Sequence, residues 1–314
     1  MNIEKNIKVV VTSRSFSKNN RLRRELLQKY KNVKFNDKGL RLKGDTLVDF
    51  LKGYHKAIIA LEAIDGDILS KLPELKVISK YGVGLDMIDM HAMHKYDVRL
   101  GWTGGVNRRS VSELVVSFAI SLLRHVSESH REVLSGVWRQ HIGSHLSGKT
   151  VGIIGCGHVG KDLVKILQPF ECTILVNDIK KYDNFYKRYN IKAVEKEELL
   201  SKSDIVTLHT PLDNYTKNML TAERLSLMKP GAILINAARG GLLDECALKK
   251  MLINGEIGGA ALDVFSIEPP EDNELLELRN FIVTPHIGGS ANEAIMAMGR
   301  SAIYGLEEAK PIVL

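Results

Sequence analysis

The chain has 314 residues, of which 44% are hydrophobic and 26% charged, and it carries a formal net charge of +7 at pH 7. This length suits two domains, and this composition excludes an intrinsically disordered or fibrous chain. The longest apolar run, around 114–123, is too short to cross a bilayer and holds two serines, so no membrane partner is expected.

Positive charge is concentrated in the first third of the chain. Residues 1–100 hold 20 Lys and Arg against 12 Asp and Glu, so the remainder is close to neutral. A basic first domain could attract a small anionic substrate, although a solvated lysine-rich surface has the same composition. The sequence has no zinc-finger, RNA-recognition or helix-turn-helix signature, so nucleic acid is not expected as a partner.

Cysteine and histidine spacing favours a metal-free protein of a reducing compartment. Cys156, Cys172 and Cys246 are scattered, with no C-x-x-C motif, which is typical of reduced thiols in the cytoplasm. Two histidine pairs have a spacing that a metal site could use, but neither is accompanied in sequence by a Cys or a third ligand, so no metal is expected. These pairs are His91 with His94 and His141 with His145.

The first half of the chain predicts a parallel α/β sheet. Apolar runs at 7–11, 57–60 and 76–79 are typical of buried strands, and they alternate with helical stretches such as 20–30. The third run leads into a glycine-containing loop at 80–86, whose backbone N–H groups could bind a carboxylate.

A second α/β domain follows a long helix. The segment Ser110-Val-Ser-Glu113 has the form of a capping box and predicts a helix over 111–125. This helix is apolar on more than one face, as expected for burial between domains or subunits. A loop-like segment at 135–149 precedes the second domain, which begins at Val151.

The second domain opens with the glycine pattern G-x-G-x-x-G between a predicted strand and a helix at 161–167. Gly155 permits a tight turn, Gly157 lets the backbone approach a pyrophosphate, and Gly160 lets the helix pack close to the strand. The free N–H groups and partial positive charge of the helix N-terminus favour the phosphates. The pattern therefore predicts a dinucleotide site.

The next strand, 172–176, ends at Asp178, which lies 18 residues beyond Gly160. An acidic side chain at this distance accepts hydrogen bonds from the ribose hydroxyls of the dinucleotide. A carboxylate here repels a 2′-phosphate and favours NAD, while the neighbouring Lys180 and Lys181 weaken that preference.

A cation, a carboxylate and an imidazole each follow a strand-like run in the second half. Arg239 follows 232–235, Glu268 follows 260–265, and His286 follows 281–283. Ligands of open α/β sheets bind outside the carboxyl ends of the strands. The three side chains are therefore expected to meet over one substrate.

Together these motifs resemble the D-isomer-specific 2-hydroxyacid dehydrogenases over essentially the whole chain. The match is specific because several spaced motifs occur in order, and within the family it is most similar to the D-3-phosphoglycerate dehydrogenase-like group. The matching segments are 75–86, the glycine loop, 209–212, 228–231, 236–244, 259–265, 268–270 and 284–289.

The resemblance implies two Rossmann-like, doubly wound parallel-sheet domains, with the nucleotide domain inserted into the substrate domain. The substrate domain would comprise 1–100 and 287–314, and the NAD-binding domain 101–286. A homodimer through the nucleotide domain is implied, and a C-terminal regulatory domain is not expected, since the chain ends at Leu314.

The resemblance also implies a role for each candidate residue. Hydride would move between the nicotinamide and C2 of a 2-hydroxy or 2-oxo acid, with His286 exchanging the proton, Glu268 orienting its ring, and Arg239 binding the substrate carboxylate. Asp263 would contact the nicotinamide amide. The other residues expected at the cofactor are His158, Val159, His209, Thr210, Pro211, Ala237 and Gly288, and those expected at the substrate are Arg14, Glu62, Lys80, Val83 and Gly84.

The acid itself stays open at this point. Glu62 stands where many phosphoglycerate enzymes have an arginine for the phosphate, and Arg14 or Lys80 could replace that arginine. Candidates are 3-phosphoglycerate with 3-phosphohydroxypyruvate, D-glycerate with hydroxypyruvate, and glyoxylate. A relative acting on phosphite would share the three catalytic residues, whereas formate dehydrogenases carry glutamine in place of Glu268.

A dinucleotide-sensing binding protein of the corepressor type would share the fold and the same residues. Its relatives carry long disordered tails, which this chain lacks, so an enzyme is favoured.

Overall fold

The computed structural model describes residues 7–313; residues 1–6 and 314, at the outer ends of the predicted substrate domain, lie outside them. The chain divides into two compact units, Met1–Asn107 with Asn292–Leu314, and Arg108–Ala291. Each unit holds one parallel sheet, so the prediction of two doubly wound α/β domains is confirmed.

The first unit contains a five-stranded sheet. Its strands are β1 (Lys8–Val11), β2 (Asn32–Phe35), β3 (Lys56–Ile59), β4 (Val77–Lys80) and β5 (Arg99–Gly101), in the order β2-β1-β3-β4-β5. Its first helices are α1 (Arg14–Lys18), α2 (Asn20–Lys29), α3 (Asp45–Leu51), α4 (Gly66–Ser70) and α5 (Met90–Lys95). Every strand pair in this sheet is parallel.

Apolar residues cover both faces of this sheet. Val9 and Val11 of β1 belong to one buried cluster, whereas Val10 belongs to another. Successive side chains of a strand point to opposite faces, so a run of valines fills both cores at once.

The second unit contains a seven-stranded parallel sheet. Its strands are β6 (Thr150–Ile154), β7 (Thr173–Asn177), β8 (Lys192–Ala193), β9 (Ile205–Leu208), β10 (Ile233–Asn236), β11 (Gly259–Leu262) and β12 (Phe281–Val283). Its helices are α6 (Arg108–Leu123), α7 (Val126–Leu134), α8 (His158–Leu167), α9 (Asp183–Arg188), α10 (Lys196–Lys202), α11 (Ala222–Leu225), α12 (Glu245–Ile253) and α13 (Asn273–Glu277), with a 3₁₀ turn at Gln168–Phe170. The last helix, α14 (Asn292–Gly305), belongs to the first unit.

The strand order β12-β11-β10-β9-β6-β7-β8 fixes where a ligand would bind in the second unit. Strand β6 pairs with β7 on one side and with β9 on the other. The strand order therefore reverses at β6, with β7 and β8 on one side and β9 to β12 on the other. Ligands of open α/β sheets usually bind at such a point, in the crevice outside the carboxyl ends of the strands.

The predicted capping box is wrong. Helix α6 begins at Arg108, two residues before Ser110, so Ser110 lies inside the first turn. The first turn is held by a tertiary contact, because Arg109 Nη2 donates to Asp162 Oδ1 at 3.1 Å and Arg109 Nε lies 3.1 Å from Asp162 Oδ2. A contact with α8, and not the predicted capping box, is thus found at the start of α6.

Helices α6 and α7 are bent by 62° at a short break. In residues 7–313 no single helix is long and apolar enough to cross a membrane, although this bent pair passes the same length and composition test together. At the break, His125 has the left-handed backbone conformation with φ of 53°.

Candidate active site and dinucleotide loop

The glycine loop between β6 and α8 has three distinct environments. A Cβ on Gly155, where φ is +97°, would lie 2.6 Å from the His209 carbonyl oxygen, and one on Gly160 would lie 2.2 Å from the Gly155 carbonyl oxygen. A Cβ on Gly157 would meet no atom within 4 Å. The first and third glycines are therefore needed for packing, while the second faces open space.

Open space at Gly157 fits a pyrophosphate. Helix α8 begins at His158, and no side chain caps its first turn. Free N–H groups at a helix N-terminus, with backbone accessible through glycine, form a site for phosphate oxygens. Val159, one residue further, is partly buried in the core.

Asp178 is hydrogen-bonded to the backbone of this glycine loop. Its Oδ2 accepts from the Cys156 N–H at 2.6 Å, and its Oδ1 accepts from the Lys180 N–H at 2.7 Å. The carboxylate is thus fixed next to the glycine loop, where its remaining lone pairs could accept from ribose hydroxyls. Burial raises the pKa of the Cys156 thiol to about 11, so this cysteine stays a protonated packing residue.

His209 follows β9 and packs beneath the glycine loop. Burial lowers the pKa of its imidazole to about 3, and its Nε2 lies 3.0 Å from Thr207 Oγ1. A ring held neutral supports a role in shaping the pocket rather than in proton transfer. Thr210 contacts the sulfur of Met219, and Pro211 is exposed.

The structure brings Glu268 and His286 together. His286 Nδ1 lies 2.9 Å from Glu268 Oε2, while Glu268 Oε1 accepts from the Phe265 N–H at 3.2 Å. Both side chains are partly exposed, at 47% for His286 and 40% for Glu268. The carboxylate therefore orients one ring nitrogen and leaves the other for a substrate.

Asp263 holds the turn that carries His286. Its two buried oxygens accept three hydrogen bonds, from Thr284 Oγ1 at 2.6 Å and from the Ile287 and Gly288 N–H groups at 2.7 Å each. The His286 N–H in turn donates to the Asp263 carbonyl at 2.9 Å. These bonds show that Asp263 fixes the His286 turn, and its predicted contact with a nicotinamide amide stays a proposal.

Arg239 lies in a turn after β10, the strand that pairs with β11. Asn236 fixes this turn, because its Oδ1 accepts from the Ala238 N–H at 3.0 Å and its Nδ2 donates to the Arg239 carbonyl at 2.8 Å. The Arg239 guanidinium donates to the Ala238 carbonyl at 2.6 Å. Ala237, also predicted to line the cofactor site, is buried.

The Arg239 turn packs directly on the segment that leads to Glu268. A Cβ on Gly240 would lie 1.9 Å from the Phe265 carbonyl oxygen and 2.5 Å from the Ser266 nitrogen. Only glycine allows these two backbones to approach so closely. The arginine turn and the glutamate loop are therefore neighbours at the carboxyl edge of one sheet.

Sequence reasoning missed Glu245 at this edge. Its Oε1 accepts from both the N–H and the hydroxyl of Ser266, each at 2.8 Å, and so fixes the start of the Glu268 loop. The two residues are 21 apart in sequence, and no local pattern marks their pairing.

In the first unit, Lys80 and Glu62 are tied to the same residue. Lys80 is buried and its ammonium donates to the Ala60 carbonyl, while Glu62 Oε2 accepts from the Ala60 N–H at 2.7 Å. Both side chains thus hold the end of β3. Arg14, at the start of α1, is exposed.

The loop after β4 offers backbone donors. Gly82 has φ of +132°, and the Val83 carbonyl accepts from Trp102 Nε1 at 3.0 Å. Within residues 7–313, the N–H groups of Val83 and Gly84 have no hydrogen-bond partner. Two free neighbouring amides suit a carboxylate oxygen.

The fold and the glycine loop define a Rossmann-type protein with a nicotinamide dinucleotide site, and the contact between His286 and Glu268 lies in the same unit. Residues 116–288 match the family model for the NAD binding domain of D-isomer specific 2-hydroxyacid dehydrogenases. The chain belongs to the D-isomer specific 2-hydroxyacid dehydrogenase family, and the expected NAD-type cofactor is confirmed at this level.

Named relatives differ in substrate. The chain is 39% identical to a D-3-phosphoglycerate dehydrogenase of Bacillus subtilis over 73% of its own length and 44% of that protein's, so it spans less than half of this relative. It is 34% identical to a glyoxylate reductase of Thermococcus litoralis over 85% of its own length and 82% of that protein's. Among solved structures, the TT0316 protein of Thermus thermophilus superposes with a TM-score of 0.82 at 31% identity, covering 96% of this chain and 95% of that one.

Proposed function

We propose that the protein is an NAD-dependent D-2-hydroxyacid dehydrogenase that acts on a small 2-hydroxy or 2-oxo acid. The observation that carries this proposal is the 2.9 Å contact between His286 Nδ1 and Glu268 Oε2, on a loop that packs against the Arg239 turn. A proton carrier, its orienting carboxylate and a cation thus occupy one edge of the sheet that also holds the dinucleotide loop.

Bound NAD supplies the hydride chemistry at C2 of the acid, and the protein supplies the rest. In the reducing direction, His286 donates a proton to the oxygen on C2 as negative charge develops there. Glu268 holds the ring and stabilises its protonated form. The planar donors of Arg239 bind the substrate carboxylate.

Among substrate classes, the structure favours an unphosphorylated acid such as hydroxypyruvate or glyoxylate. The Lys80 ammonium is engaged with the Ala60 carbonyl, and the Glu62 carboxylate is fixed at the same residue. A dianionic phosphate beside Glu62 would be repelled, and of the two candidate cations Lys80 is buried whereas Arg14 is exposed. Similarity to the Bacillus phosphoglycerate dehydrogenase keeps 3-phosphohydroxypyruvate as the second candidate, with Arg14 as its phosphate ligand.

A panel of 2-oxo acids tests this choice through the loss of NADH absorbance. Hydroxypyruvate and glyoxylate should give higher kcat/KM than 3-phosphohydroxypyruvate, and Glu62→Gln should improve the phosphorylated acid relative to the other two. A strong preference for the phosphorylated acid that Arg14→Ala abolishes would establish the second candidate instead.

The proposal extends to domains, assembly and location. We assign substrate binding to 1–100 with 287–314, and NAD binding to 101–286. A homodimer through the NAD-binding domain is supported by exposed apolar side chains after α6, among them Leu134, Trp138 and Ile142. A cytoplasmic location is supported by three free cysteines.

A dinucleotide sensor is the alternative of another class. Such a protein would bind NADH, change its assembly state and turn over slowly. Turnover with any acid of the panel at an enzyme-like rate, above about 1 per second, would exclude it.

A further inference from the structure

A cluster of potential metal ligands lies where α6 passes into α7, on a part of the second unit that the proposed reaction does not use. His125, Glu128 and His141 each place a ligand atom within 4.8 Å of the other two. Glu128 is on the first turn of α7, and His141 is in the loop that follows α7. The sequence predicted no metal because the pair His141 and His145 lacked a third ligand. In the fold, His125 and Glu128 rather than His145 lie beside His141.

The backbone brings His125 into this cluster. Its left-handed conformation ends α6 and turns the chain into α7. As a result the His125 and His141 rings stack with centroids 5.4 Å apart and an angle of 28°, and His125 Nδ1 lies 3.6 Å from Glu128 Oε2. A left-handed conformation is uncommon for a residue other than glycine, asparagine or aspartate.

His141 is held as a metal-ligating histidine usually is. Its Nε2 lies 2.7 Å from Glu132 Oε2, and Glu132 is buried. A ring that donates one N–H to a carboxylate presents the lone pair of its other nitrogen, and such carboxylate partners are common behind metal-bound histidines. Glu132 therefore acts on the cluster through His141.

The two arginines nearby do not block a cation. Arg279 Nη1 lies 3.4 Å from Glu132 Oε1 and 4.0 Å from Glu128 Oε1, and Arg139 Nη1 lies 3.4 Å from Glu132 Oε1. The side chains of Arg279 and Arg139 are 69% and 58% exposed. Both guanidinium groups pair with Glu132 Oε1, whereas His141 contacts Glu132 Oε2, so the arginines do not occupy the contact that orients His141.

We infer that His125, Glu128 and His141 bind a divalent transition metal ion, with Zn²⁺ as the best match, and that Glu132 orients His141 for it. Two imidazoles, one carboxylate and a water complete the tetrahedral set that Zn²⁺ favours, and hard cations such as Mg²⁺ prefer all-oxygen sites. The ligand atoms must close from their present spacing to metal distances of about 2.0–2.2 Å. The bound ion would fasten the loop that carries Trp138 and Ile142 to α7.

The test is titration of the chelator-treated full-length protein with Zn²⁺ in competition with a chromogenic zinc indicator. The wild type should bind one Zn²⁺ per chain, and Co²⁺ in its place should give the visible spectrum of a tetrahedral ion. Glu128→Gln, which is nearly isosteric, should weaken binding at least tenfold, and Glu132→Gln about tenfold.

Two further variants complete the design. His125→Asn removes the imidazole while tolerating the left-handed backbone, and should also weaken binding at least tenfold. His145→Gln, four residues after His141 and exposed, is the matched control and should bind as the wild type does. The assignment would be overturned if Glu128→Gln bound Zn²⁺ as tightly as the wild type does. It would also be overturned if His145→Gln lost as much Zn²⁺ affinity as Glu128→Gln does. Because the readout is metal binding, the result does not depend on the proposed oxidoreductase activity.

Discussion

His286 Nδ1 lies 2.9 Å from Glu268 Oε2, although the two residues are 18 apart in sequence and follow different strands. The left-handed conformation of His286, with φ of 57°, turns its ring towards the glutamate. Asp263 secures that turn through the Ile287 and Gly288 N–H groups. The orientation of the imidazole is thus fixed by contacts within the chain itself.

Glu268→Gln should lower kcat by about 10–100-fold, since an orienting bond is kept but the negative charge that stabilises the protonated ring is lost. Steady-state kinetics with hydroxypyruvate measures this, with NADH affinity followed by fluorescence. Glu271→Gln changes an exposed carboxylate in the same loop and serves as the control. Equal kcat in Glu268→Gln and the control would show that Glu268 has no part in proton transfer.

Arg239→Lys should lower kcat/KM by about 100-fold despite keeping the positive charge, because an ammonium cannot reproduce two parallel donors to a carboxylate. The same kinetic assay applies, with Arg188→Lys as a control at an exposed arginine. If kcat/KM stayed at the wild-type value, a positive charge alone would be enough to bind the substrate carboxylate. The proposed bidentate contact of Arg239 would then be wrong.

Asp178→Asn should raise the ratio of kcat/KM for NADPH over NADH by about tenfold, a change of about 1.4 kcal/mol. The substitution removes the charge that repels a 2′-phosphate and leaves Lys180 and Lys181 nearby to attract one. Kinetics with both cofactors gives the ratio. An unchanged ratio would mean that another residue selects the cofactor.

His209 should make the protein acid-sensitive. Burial lowers its pKa to about 3, below its ordinary value, so between these pH values the unfolded chain binds a proton that the folded chain does not. Stability therefore falls as the pH falls from about 6 to 4, with a contribution of up to about 1.4 kcal/mol per pH unit.

Urea unfolding at a series of pH values, without cofactor, measures this dependence. In His209→Gln the free energy of unfolding should fall less steeply with acid than in the wild type. Parallel slopes for the two proteins would show that His209 is not held neutral in the folded state.

The sequence located most of this site because apolar runs mark the strands and parallel strands share one carboxyl edge. The run 281–283 matches β12 (Phe281–Val283), and the polar residues after β10, β11 and β12 fall at one edge of the sheet. The turn at Gly155, with φ of +97°, and the close approach of Gly160 to the Gly155 carbonyl lie within the glycine loop, so both follow from the motif.

Contacts that depend on tertiary packing were not predictable in this way. Arg109, in the first turn of α6, pairs with Asp162 of α8, and no local pattern indicates a partner on another helix. The left-handed conformation of His125, which places its ring against that of His141, cannot be predicted from residue spacing either. Local sequence therefore predicts strand ends better than it predicts which distant side chains meet there.

The most direct test of the central claim compares the wild type with His286→Asn for reduction of hydroxypyruvate by NADH. Asparagine tolerates the left-handed backbone at this position, so the turn should survive while the proton donor is lost. The account predicts turnover by the wild type, a fall in kcat of about 100-fold or more in the variant, and unchanged NADH affinity. Equal kcat in the two proteins, with the variant folded and binding NADH, would contradict it.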